Sequence, residues 1–181
     1  PMKERLLAIL MLLPGMVSCT ETDSLYCNFP ARLVIDNTYQ APALYTACNS
    51  LGEFCYTTID GQKIYFHGSK ETSPVNLVAL NNYNSIVLGL GGLIIGKPAL
   101  PEIGKSESQV VCFDLNCPNC YEQYGGITKR LQLEGATARC KGCGRTYDLN
   151  SLGIVSRGES GRSLFRYRVS YVGAALVVSN R

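Results

Sequence analysis

"CPNCYEQYGGITKRLQLEGATARCKGCGRTYDL", residues 117–149, holds two C-x-x-C pairs, Cys117/Cys120 and Cys140/Cys143, with 19 residues between them. A C-x-x-C turn aims two sulfurs at one point, and two such turns brought together make a tetrahedron of thiolates. Zn²⁺ accepts that geometry with bonds of about 2.3 Å, and a single iron accepts it as well. Pro118 and Gly144 are turn-forming residues at useful places in the two knuckles. Two disulfides among these four sulfurs are the alternative, because cysteines outside the cytosol are often oxidised. Disulfides do not require paired C-x-x-C turns and metal sites do, so the spacing favours a metal.

Between the knuckles, "RLQLEG" and "ATARC" predict a hairpin centred on Glu134-Gly135 that folds one knuckle back onto the other. Upstream, "QVVCFDL" reads as a strand entering the first knuckle, and "GLIIGK" as a buried strand before it. "FCYTTIDGQKIYFHG" predicts a second hairpin about Asp60-Gly61. "ARLVIDN" and "APALYTAC" are two further apolar runs, and in "NLVALNNYNSIVLG" the first run is ambiguous between a short helix and a strand. Downstream, "SLFRYRVSYVGAALVVSN" predicts two strands around a glycine turn. The chain has 18 Gly, 11 Tyr and no Trp. Short β-branched runs in such a composition predict one small all-β domain, and the paired knuckles predict a small metal-binding subdomain of zinc-ribbon or rubredoxin type within it.

The first 18 residues read as something other than that domain. Lys3 and Arg5 precede an apolar run from Leu6 to about Val17. The run is shorter than the roughly 20 residues a membrane-spanning helix needs, and it reads as the hydrophobic region of a secretory signal. It ends in "GMVSC", which resembles the lipobox of bacterial lipoproteins. The resemblance implies cleavage before Cys19 and acylation of that cysteine, with residues 19–30 as a polar tether and residues 31–181 as the domain. Acyl chains contribute about 0.8 kcal/mol per buried CH₂, so the expectation is a domain anchored by lipid in a bacterial cell envelope, on the outer membrane or the periplasmic face.

Of nine cysteines, Cys27, Cys48, Cys55 and Cys112 have no metal spacing. Cys48 and Cys55 are close in the chain and are a candidate disulfide, with buried free thiols as the equal alternative. His67 reads as a packed or surface histidine at a strand end. Arg157, Arg162, Arg166 and Arg168 read as a solvated strand face.

The segment "CKGCGRTYDLNSLGIVSRGESGRSLFRYRVSYVGAALVV", residues 140–178, resembles the second half of a Rieske domain. Cys140 falls at that family's cysteine and Cys143 at its histidine. Gly144, Tyr147 and Asp148 fall at its Gly, aromatic and Asp, with Gly153 and Gly158 at its turns. "VVCFDLNCPNC" resembles the strand into its first ligand loop, with Cys117 at the cysteine and Asn119 where its histidine stands. The resemblance spans roughly residues 93–178 and implies a Rieske-like sandwich. It does not imply the family's cluster, which needs two imidazoles on one iron. The chain's single histidine is 50 residues before Cys117.

A net charge of +3 is too slight to argue for nucleic acid. There is no Ser-His-Asp arrangement. "GLGGLIIG" precedes a strand rather than a helix, so it does not suit a dinucleotide. The expectation is therefore a non-enzymatic module with structural zinc on Cys117, Cys120, Cys140 and Cys143. An electron carrier with iron or a 2Fe-2S cluster on the same residues is the alternative, and the protein partner is unspecified.

Overall fold

The computed structural model describes residues 25–81 and 83–180; the signal segment and Cys19 lie outside the described residues. In chain order the elements are β1 (Ala31–Ile35), α1 (Pro42–Asn49), β2 (Glu53–Asp60), β3 (Lys63–His67), β4 (Thr72–Asn76), β5 (Val87–Leu88) and β6 (Leu93–Lys97). There follow β7 (Val111–Asp114), α2 (Pro118–Gln123), β8 (Gln132–Glu134), β9 (Thr137–Arg139), β10 (Thr146–Asp148) and β11 (Ile154–Arg157). The chain closes with β12 (Arg166–Tyr167), β13 (Val169–Val172) and β14 (Ala175–Asn180). All the strand pairs are antiparallel. The all-β expectation holds, with two short α-helices added.

The strands form three sheets, ordered β13-β14-β1-β5, β12-β7-β6-β2-β3-β4 and β11-β10-β9-β8. The six-stranded sheet lies in the middle and serves two cores. Successive side chains of a strand point to opposite faces. Leu93 and Ile95 of β6 therefore join the larger core with Leu33, Ile35, Phe66, Leu176 and Val178. Ile94 between them joins Phe113, Leu115, Ala138, Tyr147 and the cysteines Cys117, Cys120 and Cys140 on the other side. Burial on both faces is why "GLIIGK" and "VVCF" run almost without polar interruption.

Local sequence explains most of the turns. β2 and β3 join through Gly61-Gln62, with Asp60 opposite Lys63 and Gly61 at φ +55°. The β13–β14 turn is Gly173-Ala174, flanked by the Val172/Ala175 pair. The ambiguous run after Asn76 resolves as 3₁₀ turns at Leu77–Ala79 and Tyr83–Ser85 followed by the two-residue β5. "APALYTAC" is α1, with Pro42 in its first turn and Ala43, Leu44, Ala47 and Cys48 turned inward. Pro74 is tolerated because β4 is an edge strand.

Candidate metal centre

The first knuckle is the start of a helix. Cys117 occupies the N-cap of α2, Pro118 follows it in the first turn, and Cys120 is buried one turn on. Cys117 N–H donates to Lys129 O at 2.9 Å, and Asn116 bridges Arg130, which ties the knuckle to the strand that leads into the hairpin. The second knuckle is a tight turn directly after β9. Gly144 N–H donates to Cys140 O and Cys140 N–H donates to Arg145 O, both at 2.9 Å. Gly144 has φ +75°, a conformation in which a Cβ is strained. The hairpin turns at Gly135-Ala136, with Glu134 opposite Thr137, and it folds the two knuckles together as the spacing predicts.

The four sulfurs lie within 4.8 Å of one another. Cys117 Sγ is 3.7 Å from Cys143 Sγ, and Cys120 Sγ is 3.6 Å from Cys140 Sγ. Four bonds of about 2.3 Å around one ion make a tetrahedron with edges of about 3.8 Å. The donor set therefore fits a single four-coordinate ion. All four cysteines are unbridged thiols.

Burial pushes the Cys117 and Cys120 thiols up, so each resists ionising unless a cation compensates. Cys143 differs. Burial raises it too, but the backbone N–H and guanidinium of Arg145, with the thiols of Cys117 and Cys120, outweigh that and hold it at about 7. It is also the one ligand that is not fully buried.

A second layer of contacts holds the ligands. Tyr147 is fully buried, and its hydroxyl lies 3.1 Å from Cys117 Sγ, to which it can donate. Asn119 Nδ2 donates to the same hydroxyl at 2.9 Å and to Arg162 O at 2.8 Å, while Arg162 N–H donates back to Asn119 Oδ1 at 2.9 Å. The Asn119 amide thus clamps the chain segment at Arg162 across the knuckle. A Cβ at Gly161 would come within 2.2 Å of Asn119 Oδ1, so a side chain there would push the Asn119 amide off its hydrogen bonds. Arg145 holds the other end of this segment, donating to Glu159 O at 2.8 Å and Ser160 O at 3.2 Å and pairing with the Glu159 carboxylate at 2.8 Å.

Sequence reasoning missed Asn119 and Arg145 as positioning residues. In the sequence each is an ordinary polar residue in a knuckle, and the partners it clamps, Tyr147 and Arg162 for Asn119 and Glu159 for Arg145, lie more than a dozen residues away.

The other candidates behave differently. Cys48, Cys55 and Cys112 are buried in the larger core, and the candidate pair Cys48–Cys55 is unbridged. Desolvation holds Cys48 at about 12 and raises Cys55 and Cys112 as well. Cys55 and Cys112 both pair with Ile95, from opposite sides, and so are separated by a whole strand. His67 stacks on Tyr56 at 4.6 Å, with its ring nitrogens on the Thr58 and Thr72 hydroxyls, which makes it a packed residue.

The four arginines do not share a solvated face. Arg166 is only 8% exposed and pairs with Glu102, which the segment between β6 and β7 carries. Arg162 pairs with Glu122, and Arg168 lies over the Tyr26 ring. Arg157 belongs to a different sheet.

No protein-family model matches the chain, and no curated protein matches it. No helix among the described residues is long and apolar enough to cross a membrane.

Proposed function

We propose that this chain is a lipid-anchored domain of a bacterial cell envelope in which one structural zinc ion, held by Cys117, Cys120, Cys140 and Cys143, fixes the small lobe of a non-catalytic binding module. The observation that carries the metal assignment is the convergence of four thiols within 4.8 Å of one another. Four thiolates fill a tetrahedral shell and leave no open position, so the ion contributes folding energy rather than a reactive site. A two-iron cluster suits this set less well, because its rhomb of iron and sulfide spreads the two thiolate pairs apart, and it would lack the two imidazoles of a Rieske centre. The anchor rests on the hydrophobic segment ending in "GMVSC" and on Cys19.

A single iron on the same thiolates is the second reading. Partial exposure of Cys143 favours it, since an exposed ligand sulfur gives electrons a short route out. Elemental analysis and a visible spectrum of protein purified without added metal test both. One zinc per chain in a colourless protein is the expected result. Stoichiometric iron with visible absorption moves the protein to the electron carriers. Absence of metal, with these cysteines bridged in native protein, defeats the site. Cys19→Ala should release the domain to the soluble fraction or leave the precursor uncleaved; unchanged processing and membrane retention would defeat the anchor.

A further inference from the structure

We propose that the outer face of the small sheet binds a phosphate-type oxyanion carried on a small molecule, held between Arg139 and Arg157 above the Thr146 hydroxyl. The three strands concerned present Ala138 and Tyr147 to the metal core, both fully buried, and by alternation Arg139 and Thr146 to the outside. Thr146 stands opposite Arg139 on one side and opposite Arg157 on the other.

The second pairing comes from an irregularity. Asp148 pairs with Ile154 and Tyr147 with Val155, so regular pairing would set Ser156 against Thr146. A bulge absorbs Ser156, and Arg157 arrives at that position instead. Bulges of this kind re-aim side chains and are enriched beside binding sites. The two arginines are then two strand spacings apart, about 10 Å, within converging reach of one anion.

Both guanidiniums are uncommitted. Arg145, Arg162 and Arg166 each hold a carboxylate, whereas the side chains of Arg139 and Arg157 have no hydrogen bond or ion pair among the described residues. The nearby Asp148 carboxylate does not compete for them, since it accepts Asn150 N–H at 2.9 Å and the Ser151 hydroxyl at 2.8 Å. The residues line a cavity of about 590 Å³ that continues past Thr137 to Glu134. Two fixed cations match a phosphomonoester dianion, and the planar guanidinium fork suits its oxygens. The remaining space takes the organic part of the molecule.

The inference rests on the metal-held lobe, because the same strands carry the metal core on their other face. The test is a titration of the full, metal-loaded chain followed by amide NMR. The probes are inorganic phosphate, glycerol 3-phosphate, and vesicles of phosphatidic acid against phosphatidylcholine. Saturable shifts at Arg139 and Thr146 are expected, with the ester bound more tightly than inorganic phosphate. R139Q/R157Q should weaken binding by about tenfold or more, while Lys63→Gln, at the exposed first residue of β3, should not. Binding of phosphatidic acid vesicles with no response to the soluble ester assigns the same site to a lipid headgroup. Metal content is read on the same samples. A metal-loaded chain with no saturable response, or with equal binding in the double variant, overturns the inference alone. A metal-free chain that still binds the ester through these arginines keeps it and overturns the metal assignment.

Discussion

The two sides of the six-stranded sheet use cysteine in opposite ways. On one side, twenty buried residues among those described form an apolar core in which Cys48, Cys55 and Cys112 are simply small hydrophobes, with thiols that burial keeps protonated. On the other, thirteen buried residues include Cys117, Cys120 and Cys140, carried by a six-residue helix and by strands of only three residues. A core that small rarely holds itself, and nature adds a metal or a disulfide to such lobes. Burial is the same on both sides, so burial does not make a cysteine a ligand. Convergence is what makes one able to hold a metal, and it comes from a helix start and a glycine turn placed face to face.

The comparison breaks most visibly at the cysteines themselves. Cys140→Ser should abolish stoichiometric metal binding and unfold the small lobe, read as loss of metal and a first, separate unfolding transition. Cys112→Ser should leave metal content unchanged and cost about 1–3 kcal/mol for a buried hydroxyl. Equal metal loss in both variants would erase the distinction drawn between the two sides.

Adjacent residues of one strand sharpen it next. Ile94→Ala and Ile95→Ala should each cost about 2–5 kcal/mol in overall stability. Only Ile94→Ala opens the metal side, so only that variant should release its metal faster to a chelator. Identical release rates would mean that the two cores behave as one.

A smaller effect is expected at Tyr147→Phe, which keeps the packing and removes a hydroxyl that faces Cys117 and Asn119. The expected cost is about 1–2 kcal/mol, with metal affinity lowered about 10–100-fold. Competition with a chelator measures it; unchanged affinity would show that the hydroxyl does not support the ligand.

The smallest effect belongs to His67, which lies outside the four-cysteine group. Burial lowers its pKa below 6.5, so the unfolded chain binds a proton more readily than the folded one. The stability it contributes is present above about pH 6.5 and is lost as pH falls through the lowered folded value. The thermal midpoint of the unaltered chain should therefore drop more between pH 7 and pH 5 than that of His67→Gln. Parallel pH profiles would place the histidine in free solvent.

Local sequence determined much of this. The C-x-x-C pairs specified which four sulfurs converge, because two short turns of fixed length are enough to aim them. Asp60-Gly61, Glu134-Gly135 and Gly173 marked the hairpins, because a two-residue turn depends on backbone freedom at single positions. The apolar run Leu93–Ile95 marked a strand buried on both faces. It could not say that its alternate residues belong to different cores, since that depends on which sheets lie above and below.

Tertiary structure alone decided the rest. Only the fold takes Arg166 out of solvent and pairs it with Glu102, and brings Asn119 against Arg162 from 43 residues away. The bulge that turns Arg157 toward Thr146 is equally invisible in the sequence. Each of these is a contact between segments distant in the chain, and neither side chain carries a local trace of its partner. Spacing within a turn is a property of the sequence, whereas proximity across sheets exists only once the sheets have packed.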